Sequence, residues 1–275
     1  MRELDKKTEN LVVVKSNEVI QASYKLTLNE QRIVLSCISK IDSMKELTQK
    51  DGVTIRVDEI KDLLVTTRKE KGSLYTDLKT ATERLYERSI MLDGDGSKRR
   101  WVYEIKYNES EGDITLFFSP TIIPYLSELK GNFTKYKLEY IANFTSVYSI
   151  RIYELLCQWS FVGQKEIEVD ELKRLLGVAD KYERTSNFLS RVVDISVKEI
   201  NKFSNIKLKC GYRKTGRRIT HIQFDFNFKK TKKKPEKTPE KLTMDEMLRF
   251  VRENEKLTRG KSEYEIRKQM EKSKS

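Results

Sequence analysis

Two kinds of apolar pattern alternate along this chain of 275 residues. In some stretches apolar residues recur three and four positions apart, as at Ile33, Cys37 and Ile41, which is the spacing of one buried face of a helix. In others, short β-rich runs such as 113–118 lie between polar turns and predict strands. The longer helical patterns cover 28–41, 73–88, 146–161 and 185–203.

The chain contains one such sequence of elements twice. The run IRVDEIKDLL at 55–64 returns as IEVDELKRLL at 167–176, with seven of ten positions identical and an offset of 112 residues. Both copies predict a short strand, an aspartate helix cap (Asp58 and Asp170) and a short amphipathic helix. Self-similarity of this kind indicates one structural unit used twice.

The flanking segments of the two copies also agree. Each copy follows an apolar helix that carries an Arg-Ile pair, and each precedes a longer helix. Two strands come next, joined by a polar turn with an arginine pair, Arg99–Arg100 in the first half and Arg217–Arg218 in the second. Helix, strand, helix, helix, hairpin is the order of a winged helix-turn-helix. We predict an α+β protein with two tandem winged-helix domains related by an internal repeat.

The length suits two domains of about 100 residues each, followed by an extension. We assign the first domain to 1–138 and the second to 139–228. The segment 229–275 holds 16 Lys/Arg, 9 Asp/Glu and two of the four prolines, which predicts a basic, mostly disordered tail. A capping box at 243–246 predicts one short helix in it, which either docks on a partner or stays solvated.

Charge points to a polyanionic partner. Lys and Arg number 55 against 42 Asp and Glu, a net charge of +13, and nucleic acid suits this balance better than a membrane surface does. The N-terminus is charged where a signal peptide is apolar, and no apolar run reaches the about 20 residues of a membrane span. Three scattered cysteines without CxxC spacing indicate a cytoplasmic protein with neither a disulfide framework nor a zinc site.

The helix predicted at 185–203 carries the strongest functional signal. At 100° per residue its polar side chains fall within an arc of about 80°, opposite an apolar face. From 181 to 218 there are 11 Lys/Arg and 3 Asp/Glu, so charge concentrates on this helix and the following hairpin. A solvated amphipathic face is the alternative interpretation. We favour a recognition helix with a basic wing.

Residue type suggests how the contacts are shared. Arg and Asn can bond base edges in bidentate fashion, whereas Lys mostly contacts phosphate. Arg184, Asn187 and Arg191 in the N-terminal half are therefore the predicted base readers. The predicted phosphate contacts are Lys198, Lys202, Arg213, Lys214, Arg217 and Arg218.

The matching helix of the first domain has a mixed surface. Lys79, Arg84 and Arg88 alternate there with acidic residues, and Arg99 and Arg100 follow in the predicted turn. DNA backbone contacts and a subunit interface are equally compatible with this pattern.

The sequence offers no catalytic, metal or cofactor site. His221 is the only histidine, so the paired-histidine metal site of nickases and an HExxH zinc site have no ligands. No P-loop and no GxGxxG motif is present. We predict a protein that is not an enzyme and needs no cofactor.

Several motifs resemble the iteron-binding replication initiators of theta-replicating bacterial plasmids, a family with two winged-helix domains. The similar stretches cover most of 11–228: VKSN at 14–17, QASYKLTLNEQRI at 21–33, SIRIYELL at 149–156, VDELK at 169–173 and the helix segment 192–201. The opening motif and the RIYELL motif are specific when they occur together.

The resemblance implies a plasmid initiator that binds direct repeats of double-stranded DNA at the origin and opens an adjacent AT-rich region. It further implies recruitment of the host initiator and replicative helicase, and repression of its own gene by dimers. In this family the second domain makes the main repeat contacts, and the first adds DNA contacts and the dimer interface. The alternative is a winged-helix repressor without initiator activity; a nickase lacks the histidines it needs.

Overall fold

The computed structural model describes residues 11–64, 73–92 and 96–229. The tail 230–275, including the helix predicted near 243, lies outside the described residues. So does most of the predicted Asp-Gly turn at 93–96. We use "first domain" for the described residues up to 138 and "second domain" for residues 139–228.

The first domain begins with a short strand and helix and continues through the first copy of the repeat. Its elements are β1 (Val12–Ser16), α1 (Asn17–Gln21), β2 (Ser23–Tyr24), α2 (Leu28–Ile38), β3 (Val53–Arg56), α3 (Val57–Ile60), α4 (Ser73–Tyr86), β4 (Ser89–Met91), β5 (Lys98–Arg100), β6 (Val102–Asn108), β7 (Asp113–Phe118) and β8 (Phe133–Lys137). Short 3₁₀ turns follow β7 and β8, at Ile123–Tyr125 and Leu138–Tyr140.

The second domain has the predicted winged-helix order. Its elements are α5 (Val147–Gln158), β9 (Gln164–Glu168), α6 (Val169–Leu175), α7 (residues 185–203), β10 (Ile206–Thr215) and β11 (Arg218–Phe228). Its strands form an antiparallel sheet in the order β10-β11-β9. The prediction of an α+β winged-helix domain is confirmed here.

The first domain repeats this plan, but the prediction of its hairpin was wrong. Strands β3, β7 and β6 form the sheet equivalent to β9, β11 and β10, so the wing is the β6–β7 hairpin. Strand β4 pairs instead with β2 and β5, and Arg99 and Arg100 lie in β5 rather than in a wing turn. Strands β4 and β5 thus lie between α4 and the wing, and they form a three-stranded sheet with β2 from the start of the domain. In the second domain the wing strand β10 follows α7 directly.

The predicted aspartate caps of the repeat were wrong, because the observed cap positions lie two residues before Asp58 and Asp170. Helices α3 and α6 start at Val57 and Val169, so the cap positions fall on Arg56 and Glu168, which make no side-chain cap bond. Asp58 and Asp170 therefore lie inside the first helical turn. A negative charge in the first turn interacts favourably with the positive end of the helix dipole. Aspartate can therefore stabilise the helix at this position without acting as its cap.

One hydrophobic core cluster runs through both domains. Its largest fully buried side chains include Trp101 and Phe118 in the first domain and Tyr153 and Phe188 in the second. The two-stranded sheet of β1 with β8 brings the start of the first domain next to its end, beside α5. The described residues up to Lys229 therefore form a single compact unit.

Candidate DNA-binding surface

Helix α7 contains a π-helical segment in its middle. It is α-helical at Thr185–Phe188 and at Asp194–Phe203, and π-helical at Leu189–Val193 between them. Such wide turns recur at functional sites in helices. Here the segment lies at Arg191, one of the predicted base readers.

The division of α7 into two faces agrees with the prediction. Leu189, Val192, Val193 and Ile200 are buried as expected, and Phe203 is half-buried. The predicted contact residues Arg184, Asn187, Arg191, Lys198 and Lys202 are all exposed. None of these charges is held in an ion pair with another of the described residues, so they are available to an anionic partner.

Polar contacts that the sequence pattern did not reveal hold α7 in place. The buried carboxylate of Glu199 accepts hydrogen bonds from the backbone N–H of Thr145 (2.8 Å) and Ser146 (3.3 Å), just before α5. Ser149 Oγ of α5 donates to Ser196 Oγ at 3.3 Å. Asn201 forms a pair of hydrogen bonds with the backbone of Leu208 in β10, at 2.8 and 2.9 Å. Helix α7 is therefore fixed on the side opposite its exposed residues.

The wing of the second domain projects basic residues from a tight turn. Strands β10 and β11 are joined by Gly216 and Arg217, and Gly216 has a φ of +62°. A glycine with positive φ at the first central position is the arrangement of a type II′ hairpin turn. Lys214, Arg217 and Arg218 are exposed around it, and the Tyr212 hydroxyl donates to Asp194 of α7 at 3.0 Å.

Arg213 differs from the rest of the wing because the fold already binds it. Its Nε and Nη2 lie 2.9 and 2.7 Å from Glu166 Oε1 of β9, and Gln223 Nε2 donates to Glu166 Oε2 at 2.8 Å. The hydrogen bond from Arg213, followed by that from Gln223, lowers the pKa of the Glu166 carboxyl. In the DNA-free protein Arg213 is thus neutralised by Glu166.

A cleft between α7 and the wing contains side chains that sequence reasoning missed. It measures about 420 Å³ and is lined by the hydroxyls of Ser186 and Ser190 together with Tyr212, Arg217 and Arg218. Serine hydroxyls are common partners of phosphate oxygens. The signal in the sequence was the spacing of the two serines, four residues apart and adjacent to Asn187 and Arg191.

Most of the predicted contacts of the first domain are engaged within the fold. Lys79 Nζ lies 2.8 Å from Glu109, Arg100 Nη1 lies 2.8 Å from Glu87, and Arg88 bonds both oxygens of Glu30 at 2.9 and 3.1 Å. Arg84 is exposed on α4, whereas Arg99 is half-buried in β5.

The wing tip of the first domain is acidic. The β6–β7 turn contains Glu109 and Glu111, and its φ-positive residue is Gly112. The corresponding turn of the second domain contains Arg217. The two domains therefore share a fold and differ in the charge that they present.

Other kinds of site have little support in the described part of the chain. No three His, Cys, Asp or Glu side chains come together there as metal ligands. His221 is half-buried in β11, with Nε2 3.6 Å from Glu168. No helix in the described ranges is long and apolar enough to cross a bilayer.

Family models identify both halves of this arrangement. The model described as "Initiator Replication protein, WH1" matches residues 12–157, and the one described as "Initiator Rep protein, WH2" matches 168–226. The chain belongs to this family of replication initiator proteins. The WH1 match extends past residue 138 through most of α5, and the WH2 match begins at the end of β9.

Two curated initiator relatives come from Escherichia coli. A "Replication initiation protein" is 29% identical over 209 residues, which cover 72% of this chain and 64% of that protein. The chain therefore matches less than two thirds of that relative's length. The "PI protein" is 26% identical over 265 residues, covering 82% of this chain and 85% of the relative.

A solved structure of the family has the same fold. The crystal structure of the Pi initiator protein in complex with iteron DNA superposes with a TM-score of 0.68 at 24% identity. The match covers 82% of this chain and 100% of that one. The fold of this chain is thus shared with a solved structure.

Proposed function

We propose that this protein initiates plasmid replication by binding direct repeats, or iterons, in double-stranded DNA at the origin. The observation that carries the proposal is the exposed face of α7 beside the basic wing, where four basic residues make no ion pair with another of the described residues. Family membership supports it, as does the solved Pi initiator protein, which is bound to iteron DNA.

The contacts divide between base reading and backbone binding. Arg184, Asn187 and Arg191 read base edges in the major groove, because guanidinium and amide groups match the donor and acceptor pattern of guanine and adenine. Lys198 and Lys202 bind phosphates, as does the wing through Lys214, Arg217 and Arg218. Arg213 joins them when the phosphate backbone displaces Glu166.

The first domain contributes less to affinity. Lys79, Arg88 and Arg100 are already paired with carboxylates, so a phosphate must compete with a bond inside the protein. Arg84 is exposed on α4 and Arg99 is half-buried in β5, and both stay predicted contacts. This domain also provides the dimer interface when the protein represses its own gene.

Binding at tandem repeats leads to the later steps. Several bound copies open the adjacent AT-rich duplex, and the complex recruits the host initiator and the replicative helicase. We propose these steps from the resemblance to the initiator family. Permanganate reactivity of unpaired thymines next to the repeats, on supercoiled plasmid, tests the opening step.

Footprinting of the DNA that flanks the gene, with excess random competitor at physiological salt, tests the binding step. Regularly spaced protection over tandem repeats is the expected result. Protection of one inverted repeat would instead indicate a repressor. Diffuse, salt-sensitive retention without a defined footprint would refute sequence-specific binding. Arg191→Ala should need a higher protein concentration for the same protection, as expected for a loss of about 1–3 kcal/mol, while Lys45→Ala, which removes one exposed charge outside the predicted surface, should leave the pattern unchanged.

A further inference from the structure

Two buried arginines connect the domains. Arg151 of α5 is 2% exposed and Arg32 of α2 is 3% exposed. A buried guanidinium is costly unless its donors are satisfied, so the partners of each side chain indicate what it does.

Arg151 bonds the segment that leads into α2. Its Nη2 donates to the backbone oxygens of Ile20 at 3.0 Å and Ala22 at 2.8 Å, and its Nη1 donates to the hydroxyl of Tyr24 at 2.6 Å. The same Nη2 also donates to Leu175 O at the end of α6, at 3.1 Å. One guanidinium thus joins the first domain to two helices of the second.

Arg32 makes the converse connection. Its Nη2 donates to the backbone oxygens of Ala142 at 2.8 Å and Phe144 at 2.6 Å. These residues form the segment that leads into α5, which begins at Val147. Each arginine therefore bonds the chain that enters the helix carrying the other.

The internal repeat makes the two arginines equivalent. Helix α2 is capped by Thr27 and α5 by Ser146, and both arginines lie five residues after the cap. The Arg-Ile pair that recurs in the sequence thus marks the same position in both domains, used reciprocally across their interface.

Further contacts close the interface around this pair. Lys15 Nζ of β1 lies 2.7 Å from Glu154 of α5, and both side chains are buried. Burial raises the pKa of Tyr136, so its hydroxyl stays protonated and donates to the same carboxylate at 2.6 Å. Nearer the surface, Lys25 pairs with Asp180 at 2.9 Å.

The elements joined by the arginines carry the predicted DNA contacts. Ala22 leads directly into β2, which pairs with β4 in the sheet that holds Arg99 and Arg100. On the other side α5 bonds α7 through Ser149 and Ser196. A change in the Arg151 contacts would therefore alter the position of one DNA-binding surface relative to the other.

We propose that Arg32 and Arg151 are positioning residues that form a reciprocal latch between the domains. The latch fixes their relative orientation, and with it the spacing of the two DNA segments that one protomer contacts. This inference rests on the proposed function. At Arg151 a lysine ammonium does not reproduce the planar fork, in which Nη1 and Nη2 bond different acceptors. At Arg32 both bonds come from Nη2, and a lysine, whose side chain is shorter and whose donors are not held in one plane, does not reproduce that nitrogen's position between the two carbonyls.

Spacing tolerance tests the latch. Affinity is measured for a duplex with one repeat, as defined by the footprint, and for one with about two base pairs inserted between its two protected halves, a rotation of about 70° and a shift of about 7 Å. The insertion should lower the affinity of the wild type about tenfold or more, a usual loss for a misplaced part of a specific interface. For Arg151→Lys and Arg32→Lys the same insertion should lower the affinity by less than about threefold. At the natural spacing both variants should bind more weakly than the wild type.

Two further variants distinguish a change in the latch from a general effect of misfolding. Tyr24→Phe removes one hydroxyl that accepts from Arg151, so it should relax the spacing requirement in the same direction but less. Arg174→Lys is the matched control, since the ion pair of Arg174 with Glu171 lies within α6; it should keep the spacing profile of the wild type.

The possible outcomes distinguish a failure of the latch proposal from a failure of the proposed function. Failure of the wild type to prefer the repeat over random DNA would refute the proposed function, and the latch with it. Sequence-specific binding that tolerates the insertion in the wild type would overturn the latch alone. Specific binding with the same steep loss in wild type, Tyr24→Phe and both Arg→Lys variants would also overturn it.

Discussion

Basic side chains in this protein differ in whether the fold already uses their charge. Arg191 is exposed on α7 without an ion pair among the described residues, whereas Arg88 bonds both oxygens of Glu30. An arginine that is already paired with a carboxylate contributes less binding free energy when it contacts a phosphate, because binding only exchanges one anionic partner for another. Single substitutions should therefore separate residues that sequence composition treats alike.

Replacing Arg191 and Lys202 with alanine should give different losses. Arg191→Ala removes a bidentate base contact, so it should cost about 1–3 kcal/mol on the cognate repeat and relax base preference. Lys202→Ala removes a phosphate contact and should weaken all duplexes alike, lowering the salt slope by about one. Titrations of cognate and random duplexes at several salt concentrations measure both effects. Equal losses on both duplexes for Arg191→Ala would refute its assignment as a base reader.

Releasing Arg213 should strengthen nonspecific binding. Glu166→Gln removes the carboxylate that holds this arginine, so at neutral pH the log affinity for random duplex should depend more steeply on log salt, by up to about 0.9. Glu168→Gln removes the same charge from the same strand without releasing an arginine, and it serves as the control. An identical change in both variants would show that only net charge matters.

The pH dependence of this ion pair has a definite sign. Its hydrogen bonds lower the pKa of Glu166 in the folded protein, so the pair contributes stability above the usual glutamate pKa of about 4.3 and loses it as the pH falls through the lowered value. Protonation of Glu166 at low pH in the wild type should therefore release Arg213, as Glu166→Gln does at neutral pH.

Elements differ in how far the sequence predicted them. The bounds of α7 and β7 follow directly from apolar spacing, because both bury apolar side chains in the hydrophobic core. The π segment at Leu189–Val193 was missed, since a wide turn leaves no mark in a pattern read at 100° per residue. The extra sheet of β2, β4 and β5 was missed because strands of two or three residues are specified by partners distant in sequence rather than by their own pattern.

Two glycines with positive φ should respond differently to substitution. Gly216 has a φ of +62° and open space around it, whereas Gly177 has a φ of +67° and an added Cβ would lie 2.5 Å from the backbone oxygen of Tyr24. Gly216→Ala should then cost about 1 kcal/mol of unfolding free energy, the backbone penalty alone. Gly177→Ala should cost roughly 3 kcal/mol, because the clash adds to it. Urea unfolding measures both, and equal costs would contradict the close approach at Tyr24.

The interface between the domains shows where prediction from sequence ends at the scale of the whole molecule. Net charge and the internal repeat predicted a two-domain nucleic-acid-binding protein. Both properties involve many residues of the chain, so neither depends on knowing which residues are in contact. Lys15 and Glu154 were not singled out, since a single charged residue in an apolar strand or helix is usually placed on its exposed side until its partner is known. The recurrence of Arg-Ile at one helical position was visible, and only the fold revealed that each arginine reaches the other domain.

Charge is also distributed unevenly over the whole chain, which makes the tail testable. The 16 basic and 9 acidic residues of 229–275 give it +7 of the total +13. A chain that ends at Lys229 should therefore bind random duplex more weakly and with a shallower salt slope, because fewer counterions are released. Its preference for the cognate repeat should persist, since the predicted base readers all lie on α7.

The matched control for this truncation keeps the tail and changes only its charge. Substituting glutamine for the basic residues at 230, 232, 233, 234, 237 and 241 removes six positive charges without shortening the chain. Truncation and substitution should lower the salt slope in the same direction if the tail acts through charge. A truncated protein that loses its preference for the repeat, while the substituted one keeps it, would instead assign the tail a role in recognition that charge does not explain.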